Sequence, residues 1–183
     1  MPEASPAPEG QQARPSWGIA DLLSALRLPL AVAFVLLPDR TARIVIVLLA
    51  GASDIFDGRV ARRFGPSRLG AFIDPVVDKL FMASAFGVVL VAGGLQWYEV
   101  VGVLLRDIVA TAAFVVTAAR RRPASIPARA GGKAVTIGQG LTLLGFLLGW
   151  AATRPLAWAT AAVSLYAILD YYRAAPTERR PVG

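Results

Sequence analysis

Long blocks of residues without any charge restrict the fold of this chain more than any other feature of its sequence. These blocks are Leu28–Leu37, Ile44–Gly51, Phe81–Tyr98, Ile108–Ala119, Ala134–Thr153 and Pro155–Leu169. A helix needs about 20 mostly apolar residues to cross a bilayer. With polar ends allowed, the blocks predict six spans near 21–38, 42–60, 72–95, 97–119, 134–152 and 155–173. Because such stretches are too long and continuous for barrel strands, they predict an all-α integral membrane protein with six transmembrane helices.

The composition agrees with this prediction and excludes several kinds of chemistry. Of the 183 residues, 56% are hydrophobic, and the mean hydropathy is +0.57. The chain has no cysteine, which excludes disulfide bonds and thiolate metal sites. It has no histidine either, which excludes a Ser-His-Asp triad and histidine-bound zinc or haem. Acid–base chemistry must therefore use carboxylates, Lys or Tyr.

The net charge of +7 is distributed unevenly between the two ends of the predicted spans. Six spans place both termini on one side, which carries Arg14, Arg59, Arg62, Arg63, Arg68, Arg120, Arg121, Arg122, Arg129, Lys133, Arg173, Arg179 and Arg180. The other side carries Arg40, Arg43 and Arg154. The positive-inside rule predicts that the termini lie in the cytoplasm, below an inner or plasma membrane. Because the charges flank membrane spans, they favour anionic membrane lipids as partners, and no nucleic acid partner is expected.

Polar segments at both ends delimit one predicted membrane domain. Residues 1–16, MPEASPAPEGQQARPS, lack the apolar core of a signal peptide and predict a disordered N-terminal tail. Residues 17–175 form the predicted six-helix transmembrane domain, and residues 176–183 form a short polar C-terminal tail.

Four aspartates lie within 25 residues at one end of two predicted spans, where charge is unfavourable. Asp54 and Asp57 are three residues apart and Asp74 and Asp78 are four apart, so each pair shares one helix face. Carboxylates this close need cations, and oxygen ligands without His or Cys suit Mg²⁺ or Mn²⁺. Two metal ions that clamp a phosphate group would use four carboxylates. Ordinary helix-end aspartates with arginine partners are the alternative, which fits one of the four better than all of them.

The segment SDIFDGRVARRFGPSRLGAFIDPVVDKL, residues 53–80, resembles the signature of the CDP-alcohol phosphatidyltransferase family. That signature reads D-x-x-D-G-x-x-A-R, a spacer, and G-x-x-x-D-x-x-x-D. The matching residues are Asp54, Asp57, Gly58, Ala61, Arg62, Gly70, Asp74 and Asp78. The spacer has seven residues here where the family usually has eight, which affects the placement of Ser67 and Arg68 relative to the nucleotide.

Three further segments outside the signature resemble the same family. DLLSALRLPLA keeps the arginine of the family's first span as Arg27, and LLRDI has Arg106 and Asp107 where phosphatidylglycerophosphate synthases and related enzymes usually have Arg-Glu. The segment GGKAVTIGQ is similar to their G-K-x-K-T-x-x-Q and keeps Gly132, Lys133, Thr136 and Gln139.

The resemblance implies an enzyme in which an alcohol attacks the lipid-linked phosphate of a CDP-linked lipid, usually CDP-diacylglycerol, and CMP leaves. It implies that two Mg²⁺ or Mn²⁺ ions are held by Asp54, Asp57, Asp74 and Asp78, with Asp78 also the general base. By the same resemblance, the CDP-binding residues are Asp54, Gly58, Ala61, Arg62, Ser67, Gly70 and Arg27. Acceptor-binding candidates are Arg106, Lys133, Arg129 and Arg68. A homodimer is a further implication.

The acceptor is the part of this interpretation with the most alternatives. Glycerol 3-phosphate is the first, because its phosphate needs cations and Arg106 lies inside an apolar span. Pairing of Arg106 with a neighbouring acid or carbonyl is the structural alternative. Phosphatidylglycerol, as in a cardiolipin synthase, is the second acceptor, and an inositol phosphate is the third. An aspartate-rich prenyltransferase and a divalent-cation transporter are the alternatives from other classes.

Overall fold

The computed structural model describes residues 25–64, 70–119 and 130–174. Within these helical segments, side chains are described except at 54, 55, 57–64, 70–75, 114, 117–119, 130 and 174. The described part is all-helical and has no strand. Its six helices are α1 (Arg27–Leu36), α2 (Arg40–Phe64), α3 (Gly70–Val91), α4 (Trp97–Ala119), α5 (Ala130–Leu148) and α6 (Thr153–Ala174).

The predicted all-α class and number of helices are confirmed for the described residues. The prediction of 97–119 matches α4 at both ends, whereas α5 begins at Ala130 rather than at residue 134. The predicted tails, 1–16 and 176–183, lie outside the described residues. None of the helices in the described ranges is both long enough and apolar enough to cross a membrane.

Glycines in left-handed conformations end helices α3 and α5. Gly93 has a φ of 72° and Gly149 a φ of 69°, values that residues with a Cβ rarely adopt. After α3, the backbone N–H of Gly94 donates to the carbonyl of Val89 (2.9 Å), and that of Gly93 to Leu90 (3.0 Å). This Schellman arrangement satisfies the last carbonyls of the helix. The chain can therefore turn within a few residues into the next helix.

The turn end of the bundle, formed by residues 37–39, 92–96 and 149–152, holds its arginines through internal partners. Arg43 donates to the carbonyl of Phe34 in the last turn of α1 (3.1 Å), and its guanidinium lies 5.5 Å from the Phe34 ring centroid. Arg40 donates to a carbonyl in the last turn of α5. Arg154 pairs with the buried Glu99 at 3.3 Å. Cations are favourable beside unsatisfied helix C-termini, so these contacts stabilise the turn end.

Aromatic and aliphatic side chains form the core between α1 and α3. The rings of Phe34 and Phe81 meet edge to face with centroids 6.2 Å apart. Phe34, Phe86 and Val89 are completely buried within the same cluster. Burying a side chain of this size contributes about 1.5–3 kcal/mol. This core fixes the half of α3 that follows the acidic segment.

Small residues bring α4 and α5 close to α6. A Cβ on Gly102 would lie 2.9 Å from the Cβ of Ala161, and one on Gly131 would lie 3.1 Å from that of Ala167. Gly138 faces Thr160 in the same way. Gly131 faces Ala167, whereas Gly138, later in α5, faces Thr160, earlier in α6. The helices α5 and α6 are therefore antiparallel. Backbones that approach this closely leave no room for larger side chains.

Replacement of Gly138 by alanine tests this close packing. The added Cβ would lie 2.6 Å from Oγ1 and 3.1 Å from Cγ2 of Thr160. Overpacking of this kind costs about 1–3 kcal/mol, which outweighs the gain of up to about 1 kcal/mol from alanine in a helix. We expect Gly138→Ala to lower the unfolding midpoint of the purified protein.

Gly140→Ala is the matched control, since Gly140 lies on the same helix and a Cβ there would meet nothing within 4 Å. This control should raise the midpoint slightly. Equal shifts in the two variants would contradict close packing at Gly138.

Candidate active site

The four aspartates of the predicted metal site lie on α2 and α3, on either side of the connection at 65–69. Asp54 and Asp57 are in the second half of α2, and Asp74 and Asp78 are in the first half of α3. Only the side chain of Asp78 is described, and it is half-buried. No three acidic side chains come together among those the structure describes. Joint metal binding by the four aspartates therefore stays a prediction.

The predicted CDP-binding residues are described to different extents. Gly58, Ala61 and Arg62 belong to α2 and Gly70 begins α3, but their side-chain environments lie outside the described part. Ser67 and two acceptor candidates, Arg68 and Arg129, fall in the segments 65–69 and 120–129 and also lie outside it. Arg27 is described: it begins α1 and is only 3% exposed. A charged side chain this deep in the fold needs polar partners.

A buried ion pair ties α3 to α4 next to Asp78. Lys79, the residue after Asp78, forms an ion pair and hydrogen bond with Oδ1 of Asp107 on α4. The Asp107 side chain is 8% exposed and that of Lys79 is 27% exposed. Opposite charges attract strongly where water is excluded. The pair therefore fixes the rotation of α3 at the turn that carries Asp78.

Gln139 on α5 completes the surroundings of Asp107. Its Nε2 donates to Oδ2 of Asp107 (2.7 Å) and to the backbone carbonyl of Val103 (3.0 Å), so both amide protons are used. Ser164 on α6 donates to the same carbonyl at 3.5 Å. Gln139 and Ser164 are almost completely buried, so these hydrogen bonds are shielded from water. Four helices, α3 to α6, are thus connected through Asp107 and the carbonyl one turn before it.

Arg106 lines a cavity between α4, α5 and α6. Its Nη1 lies 3.4 Å from Oδ1 of Asp107. The other end of the guanidinium passes over Gly132 in the first turn of α5. The cavity has a volume of about 60 Å³ and opens to solvent, and Asp170 and Tyr171 of α6 also line it. The guanidinium of Arg106 therefore lies at the wall of a cavity that opens to solvent.

Lys133, the other described acceptor candidate, does not line this cavity. It is exposed on the first turn of α5. Thr136, three residues later, donates its hydroxyl to the carbonyl of Gly132 at 3.2 Å, a bond within the helix. The structure thus brings Arg106 and Gly132 together and leaves Lys133 at the surface.

The family profile described as CDP-alcohol phosphatidyltransferase matches residues 17–166 of this chain. The chain belongs to the CDP-alcohol phosphatidyltransferase family. The family membership predicted from the acidic segment is therefore confirmed, and the match extends over most of the sequence. An enzyme of this type joins the phosphate-bearing part of a CDP-linked substrate to an alcohol.

Individual members of the CDP-alcohol phosphatidyltransferase family resemble the chain along much of its length. A Mycobacterium tuberculosis protein named as a probable phosphatidylglycerophosphate synthase is 34% identical over 161 residues, or 82% of this chain and 75% of that protein. A CDP-diacylglycerol–glycerol-3-phosphate 3-phosphatidyltransferase of Escherichia coli is 30% identical over 147 residues, or 73% and 78%. A Mycobacterium bovis protein named "Putative cardiolipin synthase" is 34% identical over 125 residues, or 66% and 59%.

Sequence reasoning missed the ion pair of Lys79 with Asp107, next to Asp78 of the candidate site. A lysine directly after Asp78, inside an otherwise apolar stretch, was the available signal, because a buried ammonium needs an anionic partner. Asp107 was noted only beside Arg106. Its ion pair with Lys79 spans 28 residues of sequence, and its bond to Gln139 spans 32. Such long-range partners depend on how the helices are rotated, which hydropathy does not specify.

Proposed function

We propose that this phosphatidyltransferase transfers a phosphatidyl group from CDP-diacylglycerol to glycerol 3-phosphate, forming phosphatidylglycerophosphate and releasing CMP. The observation that carries the choice of acceptor is Arg106, a cation at the wall of a cavity between α4, α5 and α6. Arg106 shares Oδ1 of Asp107 with Lys79, the residue after Asp78. A phosphate-bearing acceptor needs such a cation. Relatives named for the same reaction support the donor and the acceptor.

The residues of the acidic segment fit two divalent metal ions by their donor chemistry. The chain offers four carboxylates on two consecutive helices, two on each side of the connection at 65–69, and has no His or Cys to favour a softer metal. Asp54, Asp57, Asp74 and Asp78 would hold Mg²⁺ or Mn²⁺. When bound, the ions would neutralise the negative charge that builds on the diphosphate oxygens.

The chemical step needs a base and a fixed leaving group. Asp78 would take the proton of the acceptor hydroxyl, by family resemblance and because the chain has no histidine for that task. The hydroxyl oxygen forms a bond to the lipid-linked phosphorus, and the bond from that phosphorus to the CMP oxygen breaks. Gly58, Ala61 and Arg62 on α2 would contact the CDP part, with Arg27, Ser67 and Gly70 nearby by family resemblance.

The acceptor would lie in the cavity between α4, α5 and α6. The Arg106 guanidinium would bind its phosphate, and the carboxylate of Asp170 could accept hydrogen bonds from its hydroxyl groups. Lys133 at the surface of α5 would attract the anion towards the cavity. Arg129 and Arg68, which lie outside the described residues, remain acceptor-binding candidates by family resemblance.

A location in the inner or plasma membrane, with the termini and the active site on the cytoplasmic side, accompanies this function. Large apolar side chains are exposed on the outer faces of several helices, among them Val32, Leu48, Ile137 and Leu165. Exposed apolar surface of this kind favours contact with lipid or with another protein. The acyl chains of the donor would stay in the lipid, and a homodimer would cover part of the same surface.

The lipid product identifies the acceptor directly. We expect purified protein with CDP-diacylglycerol and Mg²⁺ to form phosphatidylglycerophosphate from glycerol 3-phosphate, detected by mass spectrometry of the extracted lipids. Parallel reactions should contain phosphatidylglycerol or an inositol phosphate at the same concentration. Formation of cardiolipin instead would contradict glycerol 3-phosphate as acceptor and would favour the second candidate, which the M. bovis relative supports.

A further inference from the structure

The position of Arg106 depends on the absence of a side chain at residue 132. A Cβ built on Gly132 would lie 2.5 Å from Nη2 of Arg106 and 3.0 Å from its Cζ. The distance to Nη2 is shorter than real Cβ contacts, so a side chain at this position and the present guanidinium position exclude each other. The bare backbone of α5 is therefore one wall of the place where the guanidinium lies.

Asp107 lies at the other side of the same guanidinium. Its Oδ1 is 3.4 Å from Nη1 of Arg106 and is shared with Lys79, while Oδ2 is held by Gln139. The carboxylate is thus fixed by partners on α3 and α5. Because Oδ1 of Asp107 also accepts the hydrogen bond from Lys79, the attraction of Asp107 for Arg106 constrains the guanidinium orientation only loosely. The steric limit at Gly132 supplies the second constraint.

We propose that Gly132 is a positioning residue for the acceptor phosphate: it admits the Arg106 guanidinium against the backbone of α5 and so presents it to the cavity. Any Cβ at this position would push the guanidinium away from α5 and change its direction. The acceptor phosphate would then lose a paired, charge-assisted hydrogen bond. This inference rests on the proposed acceptor site. It adds Gly132 to that site as a residue that acts only through the position of Arg106.

Gly132→Ala is the test, because it displaces the guanidinium without removing its charge. The residue that must move is the far end of a flexible arginine side chain, so the fold should tolerate the change. We expect the KM for glycerol 3-phosphate to rise about tenfold or more, equivalent to 1.4 kcal/mol. The KM for CDP-diacylglycerol should stay within about twofold. Gly140→Ala, on the same helix with nothing within 4 Å of its Cβ, should leave both constants unchanged.

A second background separates positioning of Arg106 from a general effect on packing. If Gly132 acts only through the guanidinium, Gly132→Ala should have no further effect on KM in an Arg106→Met protein. It should not lower the unfolding midpoint there either, as expected for Gly140→Ala. This comparison also serves if Gly132→Ala alone does not fold, since the shortened side chain at 106 removes the crowding. A further loss in the double variant, or a single variant that behaves as Gly140→Ala does, would overturn the proposal.

Failure of the proposed function would give a different result. A wild-type protein that releases no CMP with glycerol 3-phosphate contradicts the proposed acceptor, whatever the variants do. The same variants would then be compared with phosphatidylglycerol, whose phosphate offers the guanidinium the same chemistry. A selective rise in the KM for that acceptor in Gly132→Ala would support the positioning role, and unchanged constants would overturn it.

Discussion

Asp78→Asn is expected to lower the turnover number for CMP release by about 10²–10⁴-fold, the usual contribution of a positioned general base. The amide keeps the shape of the carboxylate but neither takes a proton nor carries the charge that holds a metal ion. Asp78 is half-buried on α3, directly before the lysine that anchors this helix to α4. The fold should therefore survive the change, and the unfolding midpoint should move little.

Asp39→Asn is the matched control for this variant. Asp39 precedes α2 at the turn end, and its Oδ2 accepts a hydrogen bond from the backbone N–H of Ala42 (2.7 Å). Asparagine caps a helix start about as well as aspartate does, so stability and turnover should both be retained. Equal turnover in the Asp78 and Asp39 variants would show that Asp78 is not the base.

Asp107→Asn is expected to produce the largest loss of stability among the site variants, about 3 kcal/mol. Removing one partner of a buried ion pair costs about 3–5 kcal/mol, and the lower end applies because Lys79 is 27% exposed. Asparagine still offers an oxygen to Gln139, but it leaves Lys79 and Arg106 without their shared anion. Chemical unfolding of the purified protein measures this loss.

A double-variant cycle assigns the loss to the ion pair. Lys79→Met with Asp107→Asn removes both charges, so the double variant should be more stable than the sum of the single changes predicts, by about 0.5–3 kcal/mol. Lys133→Met controls for loss of a lysine, since Lys133 is exposed on α5. Additive losses, or an Asp107→Asn protein within 0.5 kcal/mol of the wild type, would contradict a stabilising role for the pair.

The number and approximate extent of the helices could be predicted because apolar blocks and turn residues recur along the chain. Trp97 and Ala119 bound α4 as predicted, since apolar residues fill it and polar segments flank it. The helix α5 begins at Ala130, four residues before the predicted start at 134, because the apolar block begins only after Lys133. Close packing of Gly131 on α6 favours helix there, which local propensity does not show.

The candidate site was predictable only as far as its motifs are local. The spacing of Asp74 and Asp78 fixes their relation within one helix, and both do lie on α3. The cluster around Asp107 joins residues from three helices, so it depends on packing that periodicity leaves open. Gly132 illustrates the same limit, because only the packing of the helices shows that Arg106 fills the space where a side chain at residue 132 would lie.

CMP release from CDP-diacylglycerol by the purified protein tests the central claim most directly. The assay should compare glycerol 3-phosphate with no acceptor, and Mg²⁺ or Mn²⁺ with a chelator. The account predicts release that requires both the acceptor and the divalent ion. Release that persists with the chelator, or no release with glycerol 3-phosphate, phosphatidylglycerol or an inositol phosphate, would contradict it.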